Sequence, residues 1–316
     1  MKPNVLLAGG TGYIGKTLIH TLADRCFIHT ISKYPKKQAQ SAVNWIEADI
    51  YNYLDVLRAM HGIDIAIYFL DPTKHSAKMT RALAKDLNLI AADNFARAAA
   101  QQGVKEIIYV RGSQFDNETI QQLGRYGVSV RCTSKKVNRP HISVEFQGAK
   151  YNDIRLVHHI PKPLKWHLDS FIHQMGIWLS QTPGTRTSIR HVDHRIEVYD
   201  KKQKRLLMIF ELNKIDDTLY RLEMVKGRLA KVKGGNHAII EFRYIQQLDA
   251  VIVHLFDYIP RAWWPIAYFI QVPFFQMLVR GFDTKCRIQN YYDRQQNGED
   301  LHYTNCLLYT SPSPRD

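Results

Sequence analysis

Short apolar runs alternate with amphipathic stretches through the first 132 residues. Residues 5–8 form the first run. A glycine cluster follows (Gly9, Gly10, Gly12, Gly15), then a stretch in which Ile14, Leu18 and Leu22 recur at helical spacing. The pattern predicts a strand, a tight turn and a helix. Further strands are predicted over residues 27–31, 43–47, 63–70, 106–110 and 128–132, with a long alanine-rich helix over 80–102. Apolar strands alternating with helices need crossover connections, which gives an α/β fold: a doubly wound parallel sheet with helices on both faces.

The pattern then changes. Residues 153–159 read as a strand and 164–179 as a helix carrying Trp166, Phe171 and Trp178. Antiparallel candidates follow at 187–192, 195–199, 206–212, 219–225, 238–244 and 250–256, with short links such as 200–203 and 234–236 suited to hairpins. One long aromatic helix, or a pair, begins at Ala262. This order predicts an α+β antiparallel sheet gripping a helix.

At 316 residues the chain is long for one core. The change of pattern divides it into a first domain over residues 1–135, a link over 136–150 and a second domain over 151–305. The net charge of +14 is spread over both halves, +8 in residues 1–140 and +6 in 141–305. The basic runs lack interleaved aromatics, and no finger or helix-turn-helix spacing occurs, so no nucleic-acid partner is expected. Four cysteines stand far apart with no CxxC pair, which fits a reducing cytoplasm better than a disulfide framework. Strand-like sequence from Asn4 predicts no export signal.

The glycines carry the chemistry. Gly10, Gly12 and Gly15 satisfy GxGxxG, and Gly9, Gly12 and Gly15 satisfy GxxGxxG, in both cases between a predicted strand and helix. That context is a dinucleotide site: one glycine for the turn, one for close approach of the pyrophosphate, one for helix packing, and helix N-terminal amides for the phosphates. An NAD site usually places Asp or Glu at the end of the second strand. Ser32 and Lys33 stand there instead, with Lys36 and Lys37 behind them. A carboxylate would repel a 2′-phosphate, whereas Ser32 can donate a hydrogen bond and Lys33 can neutralise the charge, so NADP(H) is favoured over NAD(H). Lys36 and Lys37 read as a solvated loop.

LAGGTGYIG near the start, EADI ending at Ile50 and IIYVRGS ending at Ser113 resemble the atypical short-chain dehydrogenase/reductases of the NmrA-like, sugar-nucleotide-epimerase-related group. The likeness covers residues 1–135 and implies a Rossmann domain. By that resemblance Gly9, Thr11, Gly12, Tyr13, Ile14 and Gly15 line the pyrophosphate, and Ser32 and Lys33 the adenosine ribose. Asp49 and Ile50 border the adenine, and Leu70 and Asp71 pass beside the nicotinamide ribose. Catalysis in the larger family uses a Tyr with a Lys four residues later and a Ser at the end of the fifth long strand. None of the 17 tyrosines here has Lys at that spacing; Tyr151 comes nearest, with Arg155. Arg111 and Gly112 stand where the serine is usual, and Ser113 is displaced. The usual relay is absent, and no catalytic residue is assigned.

LYRLEMVKGRL, IIEFRYI and WWPIAYFIQVPFFQMLVRGF resemble the helix-grip-like domain of unknown function appended to some bacterial short-chain-dehydrogenase homologues. By analogy that domain encloses an apolar small-molecule or lipid-like ligand. Residues 262–279 carry no charge but include Pro265, Gln271, Pro273 and Gln276, which predicts a buried grip helix first, a helix at a membrane surface second and a span third. His158, His159, His191, Asp193 and His194 could supply metal ligands, yet HxxH on a strand points its rings to opposite faces, so exposed histidines and no metal are expected.

Three readings of function follow. The first is an NADP(H)-dependent oxidoreductase acting on an apolar small molecule. The second is a non-catalytic NADP(H) sensor, and the third a peripheral membrane protein. The last eleven residues, CLLYTSPSPRD, resemble a translated sequencing adapter, so residues 306–316 are expected to be non-native.

Overall fold

A computed structural model describes residues 2–35, 43–70, 77–137, 152–182, 184–185, 187–202, 204–232 and 237–299. Lys36, Lys37, Asp71, most of the link and the adapter-like tail lie outside them. The chain divides into two compact units, Met1–Tyr151 and Asn152–Asp316.

In the first unit β1 (Asn4–Leu7), α1 (Tyr13–Leu22), β2 (Phe27–Ser32), β3 (Val43–Glu47), α2 (Tyr53–Ala59), β4 (Ile65–Tyr68), β5 (Met79–Arg81), α3 (Ala84–Gln101), β6 (Glu106–Tyr109), α4 (Asp116–Leu123) and β7 (Ser129–Cys132) follow in order. Six strands form a parallel sheet in the order β3-β2-β1-β4-β6-β7. That order reverses beside β1, the switch point of a Rossmann fold, where ligands lie outside the strand C-termini. Val5, Leu7, Ile28 and Ile67 form its core, with Ile14 and Leu18 of α1 packed on it. The expected helix over 80–102 begins later, at Ala84, because Leu83 is extended (φ −76°, ψ 144°).

The second unit runs β8 (Ile154–Pro161), α5 (Leu168–Gln181), β9 (Thr187–Val192), β10 (Arg195–Asp200), β11 (Leu206–Asp216), β12 (Leu219–Gly227), β13 (Ala230–Lys231), β14 (Ile239–Ile245), β15 (Ala250–Pro260), α6 (Trp264–Ile266), a π-helical turn (Ala267–Gln271) and α7 (Val272–Gln296). Its strands pair antiparallel in the order β8-β15-β14-β12-β11-β10-β9, with β13 on the end of β15. Alternation along the strands sends Leu222, Phe242 and Val253 into one core with Phe171 of α5 and Phe282 of α7. The rings of Phe171 and Phe282 meet edge to face with centroids 5.2 Å apart, and Trp166 stacks on Phe282 at 6.4 Å.

The alternate positions of the same strands carry charge. Arg221 Nη1 is 3.0 Å from Glu241 Oε1, and Arg243 Nη2 is 3.1 Å from Glu241 Oε2, all three side chains being buried. Arg221 also pairs with Glu223. His254 stacks on Phe256 with centroids 4.5 Å apart.

Candidate functional site

The glycine turn joins β1 to α1. Gly9 adopts φ +148°, a conformation open to glycine alone, and a side chain there would meet open space. Gly15 is the reverse case: its backbone is ordinary, but a Cβ would collide with the Gly9 carbonyl oxygen and come within 2.8 Å of Gly10 Cα. Gly10 is buried, and a Cβ there would meet Thr30 Oγ1 at 2.7 Å and Trp45 Cη2 at 3.0 Å. The first and last glycines of GxxGxxG therefore set the turn and its packing, while Gly10 lets β2 and β3 close behind it. Thr30 and Trp45 were not legible as site residues, because only the strand register brings them under the turn.

Helix α1 starts at Tyr13 with Gly12 as an extended N-cap and no side chain capping it; its first turn carries no acid. Its leading amides thus have no side-chain acceptor, which suits a phosphate. Thr11, Gly12 and Ile14 are partly exposed and Tyr13 is exposed, as a phosphate-facing loop requires.

At the end of β2, Lys33 Nζ lies 3.1 Å from Asp49 Oδ2, both side chains being nearly buried. Two of the predicted site residues thus form an ion pair. The Asp49 corner is rigid: Tyr51 N donates to Asp49 Oδ1 (3.0 Å), and Asp49 N donates to Asp55 Oδ2 (3.1 Å). Asn94 of α3 donates to the Ile50 carbonyl (3.0 Å) and fixes that backbone beside the switch point. Ser32 ends β2 half-buried, and Leu70 follows β4 in the same state.

At the end of β6 the serine position is occupied differently from the short-chain-dehydrogenase pattern. Asp116 Oδ1 accepts from Tyr109 Oη (2.6 Å), Ser113 N (3.0 Å) and Gly112 N (3.2 Å). Burial pushes the Asp116 carboxyl up. The hydrogen bonds from Tyr109, Ser113 and Gly112 and the charge of Lys136 outweigh it, and the pKa lies below the usual value. The tyrosine nearest the strand end is therefore tied to a carboxylate. Gly112 takes φ +143°, and a Cβ there would strike the Val137 carbonyl oxygen, so the position requires glycine on both counts. Arg111 is held through its backbone by Thr133 Oγ1 (3.1 Å) and Val137 N (2.8 Å), and its Nε has no hydrogen-bond partner among the described residues. In the first turn of α3, burial pushes Asp86 up to about 6, against the opposing charge of Lys85. Polar sequence at a helix start hid this carboxyl from the sequence reading.

The candidate metal ligands do not converge. Among the described residues no group of three or more His, Cys, Asp or Glu could hold a metal ion. His159, His191 and His194 are exposed as expected, whereas His158 is not. Burial pushes its pKa down to about 4, the charge of Arg280 adding to the effect. The folded chain binds this proton less well than the unfolded one, so the stabilisation is complete above pH 6.5 and is lost as pH falls towards 4, by at most about 3 kcal/mol. The urea midpoint should fall across that range, and His158→Leu should flatten the fall. An unchanged slope in the variant would refute the assignment.

A family model described as NAD(P)H-binding matches residues 9–136. Among solved structures, a nucleoside-diphosphate-sugar epimerase from Staphylococcus aureus is 18% identical, with 41% of this chain and 49% of that chain covered and a TM-score of 0.34. Pen from Bacillus thuringiensis is 24% identical over 35% of this chain and 38% of its own, with a TM-score of 0.30. A uronate dehydrogenase from Agrobacterium tumefaciens, solved with NAD, is 18% identical over 35% and 41%, with a TM-score of 0.29. The chain spans less than half the length of each of these structures. The auxiliary protein GraX of Staphylococcus aureus is 43% identical over 306 residues, which is 96% of this chain and 100% of that protein. The chain belongs to the family of GraX, and its first unit is an NAD(P)H-binding domain of the NmrA-like kind.

Proposed function

We propose that this protein binds NADP(H) and acts as an auxiliary, regulatory component in the cytoplasm, sensing the dinucleotide without the proton relay of short-chain dehydrogenases. The observation that carries the reading is that a Cβ at Gly15 would collide with the Gly9 carbonyl oxygen beneath an uncapped helix start, so α1 lies against the turn as closely as only glycine permits. A bound nicotinamide would supply hydride chemistry. The residues Gly9, Thr11, Gly12, Tyr13, Ile14 and Gly15 would hold its pyrophosphate, Ser32 and Lys33 the 2′-phosphate, Asp49 and Ile50 the adenine, and Leu70 and Asp71 the nicotinamide ribose. The relative's name, an auxiliary protein, supports a role beside other proteins. The tied Tyr109 and the absent Tyr-x-x-x-Lys support the lack of a relay. Cys26, Cys132 and Cys286, free thiols, fit a reducing compartment.

Preference for NADP(H) follows from Lys33. Lys33 stands at the end of β2 paired with Asp49, and its ammonium is the charge a 2′-phosphate would meet there. Lys33→Glu should weaken NADPH about 10- to 100-fold more than NADH, the scale of one hydrogen bond between charged groups. Equal weakening of both would show that the 2′-phosphate lies elsewhere.

The competing reading, an oxidoreductase for a small apolar substrate, is favoured by Arg111, whose Nε can donate to a substrate oxygen. NADPH oxidation measured against a panel of quinones and aldehydes separates the two. Binding without turnover supports the sensor, and turnover abolished by Arg111→Met supports the enzyme.

A further inference from the structure

We propose that the face formed by Arg261, α6, the π-helical turn and the start of α7 docks on the surface of an anionic lipid bilayer. Its apolar side chains point outward: Trp263 is 73% exposed, Phe269 71%, Ile270 64% and Met277 56%. Single exposed hydrophobics are ordinary, but these are contiguous, and Ile270, Phe274 and Met277 recur at steps of four and three along one side of the helix. The opposite side of α7 is occupied, since Val279, Phe282 and Cys286 belong to the core.

The rim of this face is cationic. A bulge in β15 at Asp257 (φ 52°) redirects the strand so that Lys231 pairs with Ile259. Arg261 N then donates to the Leu229 carbonyl, and Arg261 Nε to the Ala230 carbonyl, each at 3.0 Å. These bonds hold the segment that carries exposed Arg228 and Lys231 against exposed Arg261, two residues before Trp263. No Asp or Glu occurs between Glu223 and Glu241 or between Asp257 and Asp283. Tryptophan and phenylalanine on a basic rim match the boundary between lipid headgroups and acyl chains. A second copy of the chain fits less well, because a two-fold contact through this face would bring two cationic rims together. No described helix is long and apolar enough to cross a membrane, and Pro265, Gln271, Pro273 and Gln276 interrupt this one, so the contact is with the surface.

The test is co-sedimentation of the full chain with vesicles of phosphatidylcholine alone and of phosphatidylcholine with one third phosphatidylglycerol. Binding to the anionic vesicles should be at least about tenfold stronger, should weaken in high salt and should shift tryptophan emission to the blue. Trp263→Ser with Phe269→Ser, and separately Arg228→Glu with Lys231→Glu, should each lose about tenfold in binding while circular dichroism stays unchanged, since all four side chains are exposed. Absence of binding, equal binding to neutral vesicles, or a monomer–dimer equilibrium that the Trp263 variant abolishes while vesicle binding is absent would each overturn the proposal.

Discussion

Gly15→Val should remove dinucleotide binding and lower the stability of the first unit by about 3 kcal/mol, the upper part of the range for overpacking a filled site. The hydrogen of Gly15 faces backbone, and backbone cannot swing aside as a long side chain can. A Cβ would collide with the Gly9 carbonyl oxygen and crowd Gly10 Cα at 2.8 Å, so α1 must lift from the turn. Lifting α1 moves its first amides away from the position a pyrophosphate would take. Gly9 offers the control: a Cβ there meets nothing, and only φ +148° is strained. Gly9→Ala should therefore cost about 1–3 kcal/mol through the backbone alone. Urea unfolding and NADPH titration of the two variants distinguish these effects. Normal NADPH affinity in a folded Gly15→Val chain would mean that the turn is not the dinucleotide cradle.

Glu241→Gln should destabilise the second unit by about 3–5 kcal/mol, the cost of breaking a buried ion pair by removing one partner. Glu241 and Arg243 are wholly buried and Arg221 nearly so, and the carboxylate receives one guanidinium on each oxygen at 3.0 and 3.1 Å. Removing the carboxylate charge leaves two cations buried next to one another. Replacing Arg221, Glu241 and Arg243 together with apolar residues should cost less, because Glu223, which loses Arg221, is partly exposed and keeps His237 beside it. Chemical denaturation of the single and triple variants measures both. A Glu241→Gln chain within about 1 kcal/mol of the parent would show that the pair is solvated, with the weight of a surface salt bridge.

Much of the first unit was legible because its signals are local. Residues 43–47 are apolar enough to read as β3 at its observed bounds, and the glycines sit between a run and an amphipathic stretch. Helices α2 and α4 were missed; each is about two turns long, too short for a periodic pattern to emerge. The Lys33–Asp49 pair depends on the register of β2 with β3, which sequence spacing does not contain. Asp116 was invisible for a related reason: it replaces the expected serine by reaching back from α4 to the end of β6.

In the second unit the strands were legible by alternation, and β9 was read at its observed bounds. Alternation alone says that Arg155, Arg221, Glu241, Arg243 and His254 occupy the other face, which the usual rule assigns to solvent. They are buried instead. The π-helical turn at Ala267–Gln271 also escaped the reading, since uniformly apolar sequence carries no phase from which a change of helical period could be seen.

Dinucleotide binding is tested most directly by calorimetric titration of the full chain with NADPH and with NADH. Saturable binding of both is expected, tighter for NADPH, lost in Gly15→Val and inverted in favour of NADH by Lys33→Glu. Absence of heat and of any thermal stabilisation with either dinucleotide, in a chain that is folded by circular dichroism, would contradict the proposed function.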